Sequence, residues 1–131
     1  MLQTDKKFQH LNRYVDILPF DHTRVRLVDR GLEGEKDINE YINANFVDGP
    51  LKEGDRKIIG SQGPKENTYT DFWRMIAQEN VTLIVTTCNL KEKGRTKCHQ
   101  FWPYTVDSNN PVSLANEKAF NEDLEAVGIK V

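Results

Sequence analysis

A tyrosine and an aspartate lie two residues apart, at Tyr14 and Asp16, shortly before Pro19. Because a proline disfavours helical geometry at the residue before it, residues 14–18 are predicted to form an extended segment or a loop. In an extended segment the side chains of residues i and i+2 point the same way, so this ring and this carboxylate can address one ligand together. The alternative is that Tyr14 packs into the core and Asp16 caps a turn, which is the commoner role of a loop aromatic.

Two cysteines and three histidines are the other residues that could carry chemistry. Cys88 and Cys98 are predicted to be free thiols, since one disulfide is an unusual framework for a chain of intracellular character. A metal site formed by Cys88, Cys98 and His99 lacks the paired spacing of known zinc sites, so no metal or cofactor is predicted. His10, His22 and His99 have no nucleophile nearby in sequence and are interpreted as surface residues.

Composition limits the classes of partner. The chain has 131 residues, which is one domain or part of one, and 18 basic against 20 acidic residues leave a net charge of -2. No basic stripe indicates a nucleic-acid or membrane surface, so neither partner is predicted. No apolar run approaches the roughly 20 residues of a membrane span and no leader pattern opens the chain. These features predict a cytoplasmic protein.

The elements that must position these residues are mainly strands. A short helix is predicted within residues 1–11 and strands at residues 23–28, 41–47 and 57–61, with a charged loop at 29–37. A hairpin is expected at residues 89–102, turned at Gly94, and a turn at residues 107–111. Residues 117–131 have a mixed pattern without a clear cap, and no element is assigned to them.

The clearest architectural signal lies between residues 57 and 87. Apolar residues at helical spacing predict a helix at about 69–79, with Thr68 and Asp71 resembling a capping box at its start. The uncharged run at residues 81–87 is typical of a buried strand. A strand, a helix and a second strand over some thirty residues predict a βαβ unit with a parallel pair of strands, and hence an α/β fold.

Five sequence blocks occur in one order along the chain. They are residues 12–21 (NRYVDILPFD), 40–45 (EYINAN), 60–64 (GSQGP), 71–75 (DFWRM) and 97–103 (KCHQFWP). Their order and spacing resemble those of the protein tyrosine phosphatase family. The resemblance is clear over about 11–103 and weak over 104–131, so residues 1–131 are interpreted as a partial phosphatase domain. It implies the amino-terminal half of the tyrosine phosphatase fold, a twisted mixed sheet with the βαβ unit and flanking helices.

The resemblance also implies roles for four residues. Tyr14 matches the aromatic wall that lines a phosphotyrosine pocket, and Asp16 matches a carboxylate that holds the backbone amides of the substrate. Glu92 matches a glutamate that pairs with the phosphate-binding arginine, and Lys97 a lysine near the mobile loop that bears the general acid. Without the resemblance, residues 91–97 are simply the charged tip of a hairpin.

Two arginines are assigned structural roles. The family's counterparts of Arg13 and Arg24 resemble members of internal ion pairs. An arginine near Asp21 or Asp16 could equally form a solvated surface pair that contributes well under ~1 kcal/mol. Smaller departures from the family pattern are Phe20, Phe46 and Phe101, where tyrosine is common, and Glu40, where aspartate is usual.

The groups that hydrolyse phosphotyrosine in the family are missing from these 131 residues. The reaction needs a thiolate nucleophile, an arginine that clamps the phosphoryl group and an aspartic acid, which the family supplies in His-Cys-x5-Arg and Trp-Pro-Asp loops. Cys88 is followed by Arg95 at seven residues instead of six, and Cys98 by no suitable arginine. Trp102 and Pro103 precede a tyrosine. The chain as given is therefore predicted to be inactive.

Three hypotheses remain open. The chain is the recognition half of a longer phosphotyrosine phosphatase, or a catalytically dead module that binds phosphotyrosine or another partner through Tyr14 and Asp16. The third is a decayed product without an ordered fold. An incomplete sheet also predicts an open edge through which the chain can self-associate.

Overall fold

Residues 6–28, 40–49, 58–103 and 111–129 are described by the structure, a computed structural model. In chain order the elements are a 3₁₀ helix Lys6–Leu11, β1 Arg24–Arg26, β2 Tyr41–Val47, β3 Ile58–Ser61, α1 Tyr69–Gln78, β4 Lys91–Glu92, β5 Arg95–Thr96 and α2 Pro111–Ala126. β1, β2 and β3 form an antiparallel sheet with β2 at its centre, and β4 and β5 form a separate hairpin. The α/β class is confirmed. The predicted loop at 29–37, residues 1–5 of the first predicted helix and residues 107–110 of the predicted turn lie outside the described residues.

The central strand β2 is buried on both faces, which explains its run of apolar and amide side chains. Ile42 and Ala44 face the main core, while Tyr41 stacks on Phe8 of the 3₁₀ helix with ring centroids 4.8 Å apart. Asn43 lies on the same face as Tyr41 and is also buried. A buried amide must be hydrogen-bonded, so this face has to be covered by a polar segment that supplies partners.

The helix α1 confirms the predicted position and packing face. Phe72 and Met75 are buried one turn apart, as helical spacing requires. The predicted capping box is wrong, because the Thr68 hydroxyl accepts a hydrogen bond from Lys65 N at 2.9 Å instead of capping the helix. Asp71 pairs with Arg74 within the first turns at 2.8 Å.

The core lies between the sheet, α1 and the segment that follows the hairpin. Its buried members are Val25, Leu27, Ile42, Ala44, Phe72, Met75, Cys98 and Phe101. The rings of Phe72 and Phe101 meet at 4.7 Å, and the Trp73 indole donates to the Phe101 carbonyl at 2.6 Å. Full burial of each large apolar side chain contributes roughly 1.5–3 kcal/mol, so this cluster is the main source of stability.

The predicted βαβ unit is only partly formed. Its first strand and its helix are present as β3 and α1, but within the described ranges residues 81–87 are hydrogen-bonded into neither sheet. Leu83 is 76% exposed and Val85 73% exposed. A strand of this composition needs neighbouring strands and covered faces, and none of the described strands pairs with it, so the predicted parallel pair is wrong for the described part of the chain.

The helix α2 was missed by the sequence analysis, although two signals mark its ends. It begins at a proline, which suits the first helical turn, and Gly128 follows its end with a φ of 76°. Gly128 N donates to the Glu125 carbonyl at 2.9 Å and Ile129 N to the Leu124 carbonyl at 2.9 Å, the hydrogen-bond pattern of a Schellman motif. Phe120 packs near Tyr69, with ring centroids 6.1 Å apart, and so holds α2 against α1.

Candidate functional site

The loop that contains Tyr14 and Asp16 is anchored by asparagines. Asn12 is buried, and its Oδ1 accepts hydrogen bonds from the Tyr41 hydroxyl at 2.6 Å and from Asn43 Nδ2 at 2.9 Å. Asn43 Nδ2 also donates to the Ile17 carbonyl at 2.8 Å. The polar face of β2 thus obtains its partners from the loop, and the loop obtains its position from β2.

A second asparagine of β2 holds the far end of the same loop. Asn45 Nδ2 donates to the Phe20 carbonyl at 2.9 Å, and Phe20 N donates back to Asn45 Oδ1 at 3.2 Å. Asn43 and Asn45 alternate along one strand, so both side chains point to the side on which the loop runs. A strand is predicted at residues 41–47, and the alternation of two amides within this apolar strand is the signal that could have revealed the anchoring role.

Arg13 ties the loop to two other parts of the molecule. Its guanidinium donates to the carbonyls of Gly63 at 3.0 Å, Pro64 at 2.6 Å and Thr96 at 3.1 Å. Its backbone N donates to Gln62 Oε1 at 2.8 Å. The structural role is confirmed, but these partners are carbonyl oxygens, so the predicted ion pair is wrong for Arg13.

Gly63 allows the hairpin to approach the turn that Arg13 binds. A Cβ at position 63 would lie 2.5 Å from the Lys97 carbonyl oxygen, closer than real contacts permit. His99 N also donates to the Pro64 carbonyl at 2.7 Å, which fixes the segment after the hairpin against the same turn. The loop, the turn and the hairpin therefore form one hydrogen-bonded assembly around Arg13.

Arg24 forms the ion pairs that the resemblance implied. Its Nε lies 3.2 Å from Asp21 Oδ1 and its NH2 3.1 Å from Glu40 Oε1. The Arg24 side chain is only 3% exposed, whereas those of Asp21 and Glu40 are 42% and 54% exposed, so a buried guanidinium is paired with two partly solvated carboxylates. Glu40, which replaces the family's usual aspartate, reaches the guanidinium at normal hydrogen-bonding distance.

Tyr14 and Lys97 lie together although 83 residues separate them in sequence. Lys97 Nζ donates to the Tyr14 hydroxyl at 2.9 Å and lies 5.4 Å from the centre of the Tyr14 ring. Tyr14 as a whole is 44% exposed, so the residue contacts the lysine and also faces solvent. An exposed aromatic surface beside an ammonium group can receive a flat ring and a nearby negative charge.

Asp16 lies in a turn. Ile17 N donates to the Tyr14 carbonyl at 3.4 Å, which closes a turn across Val15 and Asp16. Both Tyr14 and Asp16 are exposed, so both side chains are available to a ligand. The extended geometry assumed for the ring and the carboxylate is wrong, and a turn presents them instead.

Glu92 lies in the hairpin that also carries Lys97. Lys93 and Gly94 both have positive φ, 48° and 75°, as a two-residue type I′ hairpin turn requires. The Glu92 carboxylate accepts a hydrogen bond from Asn89 N at 3.1 Å and is half-buried. Glu92 therefore braces the hairpin, and the structure places it on the same element as Lys97 without direct contact to Tyr14.

The two cysteines are free thiols, as predicted. Burial raises the pKa of the Cys98 thiol, and the neighbouring Cys88 raises it further, against a smaller lowering by Arg13. A phosphate-attacking cysteine needs the opposite shift. Among the described residues, no three histidine, cysteine or acidic side chains are grouped so that they could hold a metal ion.

Comparison with known proteins identifies the family. The family model for protein-tyrosine phosphatase matches residues 8–124, and the chain belongs to this family. It is 44% identical over 115 residues to human tyrosine-protein phosphatase non-receptor type 12, covering 88% of this chain and 14% of that protein. It is 51% identical over 92 residues to human receptor-type tyrosine-protein phosphatase alpha, covering 70% of this chain and 11% of that protein.

Solved structures show the same fold. The phosphatase PTPN18, solved in complex with phosphopeptides of HER2, superposes with a TM-score of 0.64 at 38% identity. The match covers 73% of this chain and 32% of that one, so the chain spans about a third of the solved phosphatase and a smaller share of the full-length relatives. Relatives include receptor and non-receptor forms, and no helix in the described ranges is long and apolar enough to cross a membrane.

Proposed function

We propose that this chain carries the phosphotyrosine-recognition half of a tyrosine phosphatase domain. The observation that supports the proposal most directly is the contact between Tyr14 and Lys97, which places a cation beside an exposed aromatic ring. The similar PTPN18 was solved with phosphopeptides bound, which supports phosphotyrosine-containing peptides as the ligand class.

Recognition divides between the ring and the charged groups. The Tyr14 ring forms a wall against which the phenyl group of phosphotyrosine packs, at a height that the shorter phosphoserine does not reach. Lys97 attracts the phosphate dianion, and Asp16 accepts hydrogen bonds from the backbone N–H groups of the peptide. Glu92 supports this surface by bracing the hairpin that presents Lys97.

Binding and hydrolysis are separable in this proposal. The 131 residues contain neither the nucleophile loop nor the general-acid loop, so the chain as given binds weakly and releases no phosphate. Hydrolysis belongs to a protein that contains those loops as well.

The first test is a titration of the isotope-labelled chain with a phosphotyrosine peptide and its unphosphorylated counterpart, followed by NMR. We expect a Kd on the order of 0.1–1 mM for the phosphorylated peptide alone. Tyr14→Ala should weaken binding about threefold to tenfold, the equivalent of ~0.5–1.5 kcal/mol for an aromatic pair. Phe20→Ala is the matched control, because Phe20 is an exposed aromatic that closes the same loop.

Two results would contradict the proposal. One is equal binding of the two peptides, and the other is an unchanged Kd for Tyr14→Ala. A phosphate-release assay on the same samples tests the inactivity separately, since turnover that Cys88→Ser abolishes would show a nucleophile in this chain. The intact mass of the endogenous protein then distinguishes a longer phosphatase from a module of 15.1 kDa.

A further inference from the structure

The base of the β4–β5 hairpin brings the two cysteines of the chain together. Lys97 N and Cys98 N both donate to the Leu90 carbonyl, at 2.8 and 3.3 Å, which forms a β-bulge. Cys88 precedes Leu90 by two residues in the chain. Cys88 packs against the buried core cluster to which Cys98 belongs.

The two thiols differ in access to solvent. Cys98 is 2% exposed and belongs to the core, whereas Cys88 is half-buried and packs against the same core from its edge. Both line an open cavity of about 960 Å³, whose wall includes the exposed residues 81–87. A small oxidant can therefore reach Cys88 through the cavity, while Cys98 is reached through Cys88.

We propose that Cys88 and Cys98 are a redox modification site and form a reversible disulfide when the chain meets hydrogen peroxide. The site lies outside the surface formed by Tyr14 and Asp16. The disulfide joins residues 88 and 98 across the hairpin that carries Glu92 and Lys97.

The chemistry requires one peroxide molecule and two steps. The Cys88 thiolate attacks a peroxide oxygen, the O–O bond breaks, and hydroxide leaves and takes a proton to become water; Cys88 becomes a sulfenic acid. The Cys98 sulfur then attacks the Cys88 sulfur, the S–O bond breaks, and the sulfenic oxygen leaves as a second water with the Cys98 proton. Two thiols lose two electrons in total, and a dithiol reductant reverses the change.

The proposed disulfide also affects Lys97, which contacts Tyr14 on the proposed recognition surface. Lys97 immediately precedes Cys98, so a disulfide at the base of the hairpin restrains the backbone from which Lys97 reaches Tyr14. This consequence rests on the proposed function, whereas formation of the disulfide does not. A Kd for phosphopeptide that differs between the oxidised and the reduced chain would support this effect on recognition. The test for the disulfide itself does not depend on that Kd.

The test uses the 131-residue chain at low concentration, treated with a small excess of hydrogen peroxide and quenched with iodoacetamide after unfolding. We expect a monomer that has lost two hydrogens, about 2 Da, and in which neither cysteine is alkylated. Trypsin should release residues 75–91 linked to residues 98–118, and dithiothreitol should separate the two peptides. The rate should rise with pH, because the buried Cys98 must lose its proton to attack.

The variant Cys88→Ser is the control, because Cys88 is the less buried of the two and its replacement leaves the core intact. In this variant Cys98 should remain alkylatable after the same treatment. The proposal is overturned if the native chain forms only covalent dimers, only sulfinic or sulfonic acid at Cys88, or no oxidised product, with Cys98 alkylated in each case.

Discussion

The loop at residues 12–20 and the segment at residues 81–87 differ in what holds their backbone in place. The loop contains no regular element, yet Asn43 and Asn45 bind its backbone carbonyls, and Asn43 also binds the Asn12 side chain, all at hydrogen-bonding distance. Residues 81–87 have the composition of a buried strand, yet most of their side chains are exposed and no described strand pairs with them. A segment of this chain is held in place where specific hydrogen-bond partners are present, and local β propensity alone does not produce a strand.

The largest expected effect comes from removing the acceptor at the centre of the loop anchor. Asn12→Ala removes the acceptor that the Tyr41 hydroxyl and Asn43 Nδ2 share in a buried site, while Asn43 Nδ2 keeps its bond to the Ile17 carbonyl. We expect a loss of about 3 kcal/mol in the free energy of unfolding, since two buried hydrogen bonds of ~0.5–1.5 kcal/mol each are lost. Urea unfolding followed by tryptophan fluorescence measures this loss.

The control for that variant is Asn67→Ala, whose exposed side chain donates to the His10 carbonyl at 3.3 Å. Its effect should stay within about 0.5 kcal/mol. Equal losses in the two variants would mean that the loop anchor does not contribute to stability beyond a surface amide.

A smaller loss is expected from Arg13→Lys. An ammonium group keeps the charge but cannot reach the three carbonyls that the planar guanidinium binds, so we expect a loss of about 2 kcal/mol. Arg26→Lys is the matched control, because Arg26 is 54% exposed and its acidic partners lie 3.5 Å away. A loss that is no larger than in the control would contradict the role of Arg13 in joining the loop, the turn and the hairpin.

Alkaline pH should weaken the fold moderately. Burial raises the pKa of Cys98 and also that of Tyr41, whose hydrogen bond to Asn12 and the nearby Arg24 oppose the shift. Because the folded pKa of each group exceeds its unfolded value, stability is complete below about pH 8.5 and falls as the unfolded chain loses protons, first from Cys98 and then, near pH 10, from Tyr41.

Urea unfolding of the native chain and of Cys98→Ala at pH 7, 8.5 and 10 checks this sign. The decline between pH 8.5 and 10 should be shallower in the variant, while the part due to Tyr41 should remain. Stability that increases with pH in the native chain would contradict the assigned shifts.

The smallest effect on stability is expected in the open segment. Leu83→Glu replaces a side chain that is 76% exposed, so the free energy of unfolding should change by less than about 0.5 kcal/mol. If the exposed apolar segment at residues 81–87 drives self-association, the negative charge of Glu in the Leu83→Glu variant should shift the chain toward monomer in sedimentation velocity experiments. Glu66→Gln, at another exposed position, should leave the association unchanged.

Much of the fold could be predicted where a segment forms its backbone hydrogen bonds within itself or with a neighbouring strand. The helix at Tyr69–Gln78 and the strand at Tyr41–Val47 follow the expected periodicities, and the hairpin turn follows from Gly94. The helix Pro111–Ala126 was missed because its apolar residues are few, although Gly128 marked its end. The strand expected at residues 81–87 was wrong because composition indicates what a strand requires and cannot supply the strands beside it.

The amino-acid sequence by itself determined the family and the free thiols, and it predicted the residues that we propose for recognition, because these depend on residue types in a fixed order. Only the tertiary structure decided which groups meet: the Tyr14 hydroxyl and Lys97 Nζ at 2.9 Å, the carbonyls around Arg13, and the packing of Cys88 against the core cluster that contains Cys98. The physical reason is that these contacts join residues that are far apart in sequence or lie across an irregular bulge. Such contacts depend on how the turn, the loop and the hairpin pack, and no local periodicity encodes that packing.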